Sequence, residues 1–467
     1  MTAKRLHTRR RGLWPILFLT LLVSASLPSA ASGAFTLADE RKLGKEFYDK
    51  LNQNGVIVQD ERIALYVRNL GADILAHSHP APFDFTFSVI DSSAVNAFAT
   101  PGGYIYVNRG LVNLVKTESE LAGVLAHEIA HVNRRHIAEL IARSKKISIA
   151  SLAAILASAF LGGGGELSAA AVGFSMAAAT HLNLKYSREH EEEADRLGMA
   201  YLAGAGYNPQ SMLDFLKSMR RYEFYSSNIP SYFLTHPGTD ERIRYLDGLL
   251  LTTYRHEGRE DRHGQLKRVK STLAARGRVS DSLLRQYRED VREHPRDVDA
   301  LFGLALLLDR SGQTNEALSC FRQSLALAPN DQEIRLQMGR TLLKAGQIES
   351  SIALLRTAYE QNPADASVLE SLAEAYDTRG SFSEALSLYR ELSRLQPANV
   401  DVLHRMAMNC GRLGQHGESH LLFGRYFKNK NRVDSAEYHY RQALRYYPPE
   451  SDRGREIQSE LESLKTL

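Results

Sequence analysis

The second half of the chain repeats itself every 34 residues. Pro295, Pro329, Pro363 and Pro397 form one ladder, and Gly312, Gly346, Gly380 and Gly414 form another in register with it. Between them a small residue recurs at Ala317, Ser351, Ala385 and Ser419. A large apolar residue follows four positions later, at Phe321, Leu355, Tyr389 and Phe423. A single repeat unit cannot bury its apolar face alone, so the units must stack into an α-solenoid, here spanning 281–450. Residues 281–295 form a half unit leading in. The period fails at its far end, where Gly424, Ala436, Tyr440 and Pro448 fit only if the pattern restarts 17 residues early. One helix, about 418–428, must then serve two units, and irregular packing is expected there.

These units resemble tetratricopeptide repeats, whose concave surfaces hold protein partners. The repeats also decide the two cysteines. Cys320 falls on the second helix of the first full unit and Cys410 on a first helix three units later. Stacking holds them beyond the ~7 Å Cα separation that a disulfide tolerates, so two free thiols are expected.

The first 31 residues read as a targeting segment. Five cations (Lys4, Arg5, Arg9, Arg10, Arg11) precede the apolar run WPILFLTLLV, and SLPSAASGA supplies small residues for cleavage. This is the pattern of a secretory signal peptide, with export to the periplasm as its consequence. The net charge of +4 belongs to this segment; the remainder carries 53 basic and 54 acidic residues. Charge therefore gives no argument for nucleic-acid binding.

Between these ends lies a domain over about 35–250, followed by a linker at 251–280; residues 451–467 are a helix or tail. Apolar residues at helical spacing mark two helices within 35–80. FDFTFSVID at 83–91 alternates as a strand does, and NAFATPGGYIYVNRGLV places a Pro-Gly-Gly turn between two short extended pieces. Thr117 to Glu120 has the form of a capping box and opens a helix expected to run to about 143. Residues 147–184 are Ala/Ser-rich and apolar around GGGGE. They read as two core helices with a joint, or as a lid or peripheral membrane contact near the site.

The chemistry sits at HEIAH. His127 and His131 are four residues apart, about 40° on a helix, so both imidazoles leave one face, and Glu128 stands beside them. Two neutral nitrogens at that spacing suit zinc, and an adjacent carboxylate is placed to take a proton from water. His136 fails as a third ligand: nine residues from His127 it projects about 180° away along an unbroken helix. The histidine-rich pattern HExxHxxGxxH would need glycine and histidine where this chain has Arg134 and Ile137. His136 is expected on the solvent side or in secondary contact. The third ligand must come from a later segment, and EHEEEAD at 189–195 offers Glu191 and Asp195 on one helix face. One carboxylate could bind metal and the other orient a ligand histidine.

NAFATPGGYIYV, HEIAH, EEEAD and THPGTDERI, in that order over about 40–250, resemble the HtpX-like and CAAX-prenyl endopeptidase family of zinc metallopeptidases. The resemblance implies a zincin-like α+β domain with a small sheet and active-site helices, within a mainly α chain. It implies Glu191 as third zinc ligand and Asp195 as the residue orienting a ligand histidine. His236 is implied to stabilise the oxyanion or to cap the zinc, with Arg242 following it. The region of Asn96, Ala97 and Phe98 is implied to bind substrate as an added strand; a plain structural hairpin is the alternative.

Two functions follow as expectations. One is a periplasmic zinc endopeptidase, with one zinc per chain, acting on misfolded or stalled envelope and outer-membrane proteins. Its repeats would dock a client or an assembly machine. The other is a chaperone or scaffold with a latent or structural zinc site. An intact Glu128 favours the first, since a structural site has no use for it.

Overall fold

The structure is a computed structural model, describing residues 35–142, 148–160, 186–225, 231–254 and 258–464. The expected signal peptide and most of the apolar stretch 147–184 lie outside these residues. Helices α1 (Leu37–Gln53) and α2 (Glu61–Leu75) begin at Thr36 and Asp60, whose side chains accept hydrogen bonds from the first free backbone N–H groups. A three-stranded sheet follows, built from β1 (Thr86–Ile90), β2 (Ala97–Thr100) and β3 (Tyr104–Asn108). Its order is β1-β3-β2, with β1 parallel and β2 antiparallel to the central β3. β2 is therefore an edge strand, paired with β3 so that Phe98 lies opposite Tyr106.

The rest of the first domain is helical: α3 (Arg109–Leu114), α4 (Glu118–Asn133), α5 (His136–Ala142), α6 (Ile149–Phe160), α7 (Arg188–Gly204), α8 (Gln210–Tyr225), α9 (Ser231–Thr235) and α10 (Thr239–Thr252). α4 is buried along nearly its whole length, packed against α7, α8, α2 and the sheet. Only half of its expected capping box forms. Thr117 Oγ1 accepts from Glu120 N, but the Glu120 carboxylate reaches one residue further back, to Lys116 N. The single helix expected to about 143 is two, because Arg135 adopts a left-handed conformation (φ 55°) between α4 and α5.

α4 and α7 approach closely at Gly198. A Cβ there would lie 3.0 Å from His127 N and 3.1 Å from its Cα. Those neighbours are backbone of a buried helix and cannot swing aside. Gly198→Val should lower stability to denaturant by about 1–3 kcal/mol through overpacking, even though valine is the better helix former. An unchanged unfolding midpoint would contradict this close approach.

Residues expected within the linker contain α11 (Leu266–Arg276), which packs on α3 and on the first repeat. The repeats follow as α12 (Asp281–Glu293), α13 (Val298–Arg310), α14 (Thr314–Leu327), α15 (Gln332–Lys344), α16 (Ile348–Gln361), α17 (Ala366–Arg379), α18 (Phe382–Leu395), α19 (Val400–Arg412), α20 (His416–Asn429), α21 (Val433–Ala443) and α22 (Asp452–Ser463). Gly312, Gly346, Gly380 and Gly414 all have φ between 74° and 88°, and each ends the first helix of a pair. Only glycine adopts this readily, which explains the ladder. α20 packs along both α19 and α21, so it serves two units as its sequence requires. Tyr440 of α21 presses on Gly424, where any side chain would clash with its ring. Cys320 and Cys410 are both free thiols.

The repeats do not hang free. Lys270 donates to Val115 O (2.6 Å), Arg276 pairs with Asp91 (3.0 Å), and Arg62 of α2 reaches Glu333 (3.4 Å) and Asp365 (3.3 Å). No helix among the described residues is long and apolar enough to cross a membrane.

Candidate metal centre

The i, i+4 spacing on α4 does what helix geometry requires: His127 Nε2 and His131 Nε2 lie 3.0 Å apart. α7, capped by Ser187, presents Glu191 and Asp195 from its inner face. The Glu191 carboxylate lies 3.5 Å from each of the two Nε2 atoms. His236, directly after α9, brings its Nδ1 to 3.1 Å from Glu191 Oε1 and 3.4 Å from His127 Nε2. The donor atoms of His127, His131, Glu191 and His236 all fall within 4.8 Å of one another, and all four residues are buried. Donors about 2.0–2.2 Å from a tetrahedral zinc stand roughly 3.3–3.6 Å apart, so three imidazoles and a carboxylate so arranged fit that ion.

Their neighbours fix them. Asp195 Oδ1 lies 2.9 Å from His127 Nδ1, leaving Nε2 to face the centre. Arg242, from the first turn of α10, grips Asp195 with Nε and Nη2 (2.7 Å each) and Glu191 with Nη1 (2.7 Å). Aromatic rings wall the site: Tyr186 stacks on His131 (centroids 3.9 Å apart) and Tyr232 on His236 (4.4 Å). Burial opposes ionisation of Glu191, yet His236 and Arg242 hold its carboxyl well below the usual range. Burial and Arg242 push the His127 imidazole down, but its bonds to Asp195 and Glu191 prevail and raise it to about 9.

Glu128 behaves differently. It is fully buried and neither carboxylate oxygen has a hydrogen-bond partner. His236 Nε2 lies 3.5 Å from Glu128 Oε1. Burial raises its pKa against the pull of His236 and His127. A buried carboxylate left without partners is costly, and such groups mark sites of chemistry.

The structure thus brings together His127, Glu128, His131, Glu191, Asp195, His236 and Arg242. Asn96, Ala97 and Phe98 lie at the start of the edge strand, where α6 covers them: Asn96 Nδ2 donates to Phe160 O (3.3 Å) and Phe98 stacks on Phe160 (4.5 Å). His136 is not on the solvent side. It is 1% exposed, with its Nδ1 2.8 Å from His131 Nδ1. The left-handed Arg135 turns the chain back and cancels the 180° expected of an unbroken helix. Sequence reasoning missed Tyr186 and Tyr232; only the position of Tyr186, directly before the α7 cap, could have pointed to it.

Residues 61–250 match Peptidase family M48, and residues 272–332, 310–375 and 342–410 match tetratricopeptide repeats. Over 216 residues, 46% of this chain, the sequence is 35% identical to a Vibrio cholerae protein that bears the name beta-barrel assembly-enhancing protease provisionally. It is 28% identical to the Escherichia coli beta-barrel assembly-enhancing protease over a stretch of the same length. Those stretches cover 45% and 44% of the two relatives, so the match spans about half the length of each. Mitochondrial metalloendopeptidase OMA1 of Schizosaccharomyces pombe is 33% identical over 183 residues, 39% of this chain and 52% of its own. Among solved structures, MamA of Desulfovibrio magneticus RS-1 aligns with 37% of this chain and 97% of its own, at 23% identity and a TM-score of 0.33, too slight a likeness to carry an argument. The chain joins a peptidase family M48 domain to an array of tetratricopeptide repeats.

Proposed function

We propose that this chain is a zinc-dependent endopeptidase held in a closed state by His236. The observation that carries the reading is Glu128, buried and without a hydrogen-bond partner beside a donor set that suits zinc. Zinc, when bound, supplies Lewis-acid polarisation of a peptide carbonyl and lowers the pKa of water. Glu128 takes the proton from the attacking water and returns it to the leaving amide nitrogen. His127, His131 and Glu191 hold the metal, while Asp195 and Arg242 hold His127 and Glu191 in place. The edge strand beginning at Asn96, Ala97 and Phe98 aligns an extended substrate by added-strand pairing, once α6 yields.

His236 is the gate. With its Nδ1 among the ligand atoms, the four donors complete a tetrahedral set, and a hydrolytic site needs one position open. Its displacement frees that position for water and the substrate carbonyl.

The names of the bacterial relatives, with the leader-like residues 1–31, support a place in the periplasm. Substrates there are misfolded or stalled outer-membrane proteins, and the repeats dock the enzyme to a client or an assembly machine. Helix α6 serves as cover over the substrate strand, and the apolar stretch 147–184 to which it belongs has peripheral membrane contact as its second use.

Casein digestion by wild type and His236→Ala tests the reading. The variant should cleave at least roughly tenfold faster, the gain expected if the closed arrangement is favoured by about 1.4 kcal/mol. A chelator should abolish activity in both. If His236→Ala is no faster, the gate is lost. If neither protein cleaves with zinc loaded, the scaffold reading with a latent site replaces the enzyme.

A further inference from the structure

His127 and His131 each use Nε2 towards the donor set, but their far nitrogens meet different partners. His127 Nδ1 faces a carboxylate directly, Asp195. His131 Nδ1 faces another imidazole: His136 Nδ1, at 2.8 Å. His136 Nε2 in turn lies 3.1 Å from Glu193 Oε2, and Arg134 Nε lies 2.8 Å from Glu193 Oε1. Proton counting along this row leaves one arrangement. With a bare Nε2 for a metal, His131 carries its proton on Nδ1 and donates it. His136 must then accept at Nδ1, carry its own proton on Nε2, and donate that to Glu193.

We infer that His136 and Glu193 are positioning residues for His131, fixing its tautomer and ring plane through two hydrogen bonds in series so that Nε2 presents its lone pair to the metal. The assignment rests on the zinc-site reading above and goes beyond it, since neither residue belongs to the donor set. The surroundings are built for this role. The His136 ring is clamped by stacking on His190 (centroids 4.3 Å apart, planes 18° apart), whose Nε2 lies 3.3 Å from Glu139. The backbone is bent to reach this geometry. Arg135 adopts a left-handed conformation that costs a non-glycine residue roughly 1–2 kcal/mol, and its guanidinium is fastened to the buried Glu40 carboxylate through Nε at 2.8 Å. Without that reversal His136 could not meet His131, five residues earlier.

Zinc affinity of the full chain, measured by competition with a chromophoric chelator, tests the assignment without reference to turnover. His136→Phe keeps a ring to stack on His190 but has no acceptor. It should bind zinc about 10–100-fold more weakly, the usual cost of removing a ligand's orienting partner. His136→Asn places an oxygen near the lost Nδ1 and should stay within about threefold of wild type, where a merely structural loss would not be rescued. Glu193→Leu, at a half-exposed position that tolerates change, should fall between them. Equal affinity in wild type, His136→Phe and Glu193→Leu overturns the assignment, as does an Asn variant as weak as the Phe variant. A wild type that binds no zinc defeats the metal-centre reading itself.

Discussion

Replacing Glu128 with glutamine should silence peptide hydrolysis while leaving zinc in place. The change is isosteric, so packing around this fully buried residue is kept and His127 and His131 hold their positions on α4. What is lost is a carboxylate beside the donor set that Arg242 does not engage. An amide cannot take a proton from water, and removing a general base costs about 10²–10⁴ in rate. The comparison belongs in the His236→Ala background, where activity is highest, with zinc content measured on the same samples. Activity above a few per cent with zinc retained would mean that another group moves the proton. Loss of zinc along with activity would mean that Glu128 belongs to the ligand set.

The same residues show what a sequence can and cannot convey. His127 and His131 were legible because helix geometry fixes the relation of residues four apart, and α4 is a continuous helix there. The repeats were legible for a related reason. Each glycine of the ladder occupies a left-handed turn that recurs because the units are the same, and the shared helix α20 follows from the shortened period. His136 was misplaced because its position depends on a single non-glycine residue adopting φ 55°. Arg135 carries no local mark of that, and the Glu40 that holds its guanidinium lies on a helix almost a hundred residues earlier. Glu191 and Asp195 could be seen as a pair on one face, but their separate roles depend on Arg242, which arrives from a different helix. The aromatic walls, Tyr186 and Tyr232, come from loop-proximal positions with no periodicity to read. α11 was hidden in what reads as linker because only its contacts with α3 and α13 show what it packs against.

Arg242→Met should destabilise the peptidase domain by about 3–5 kcal/mol when zinc is stripped, the range expected when one partner of a buried ion pair is removed. Arg242 is 5% exposed and contributes one charge to two carboxylates that are fully buried, Asp195 and Glu191. Methionine fills much of the same volume, so the loss is electrostatic rather than a cavity. Lysine would not replace it: the three contacts of 2.7 Å come from three nitrogens of one planar group, a geometry an ammonium cannot reproduce. Zinc should reduce the deficit, because a divalent ion beside Glu191 supplies the missing positive charge and stabilises the folded state by mass action. Asp195 has less relief, since its other partner among the described residues is His127. The deficit should therefore shrink on zinc loading without vanishing. Denaturant titrations of the full chain, stripped and loaded, measure both numbers, with the peptidase transition followed apart from that of the repeats. A stripped variant as stable as wild type would show that Asp195 and Glu191 do not need Arg242 to be buried as charges. The fixed carboxylate lattice around His127 would then have to be built by the helices alone.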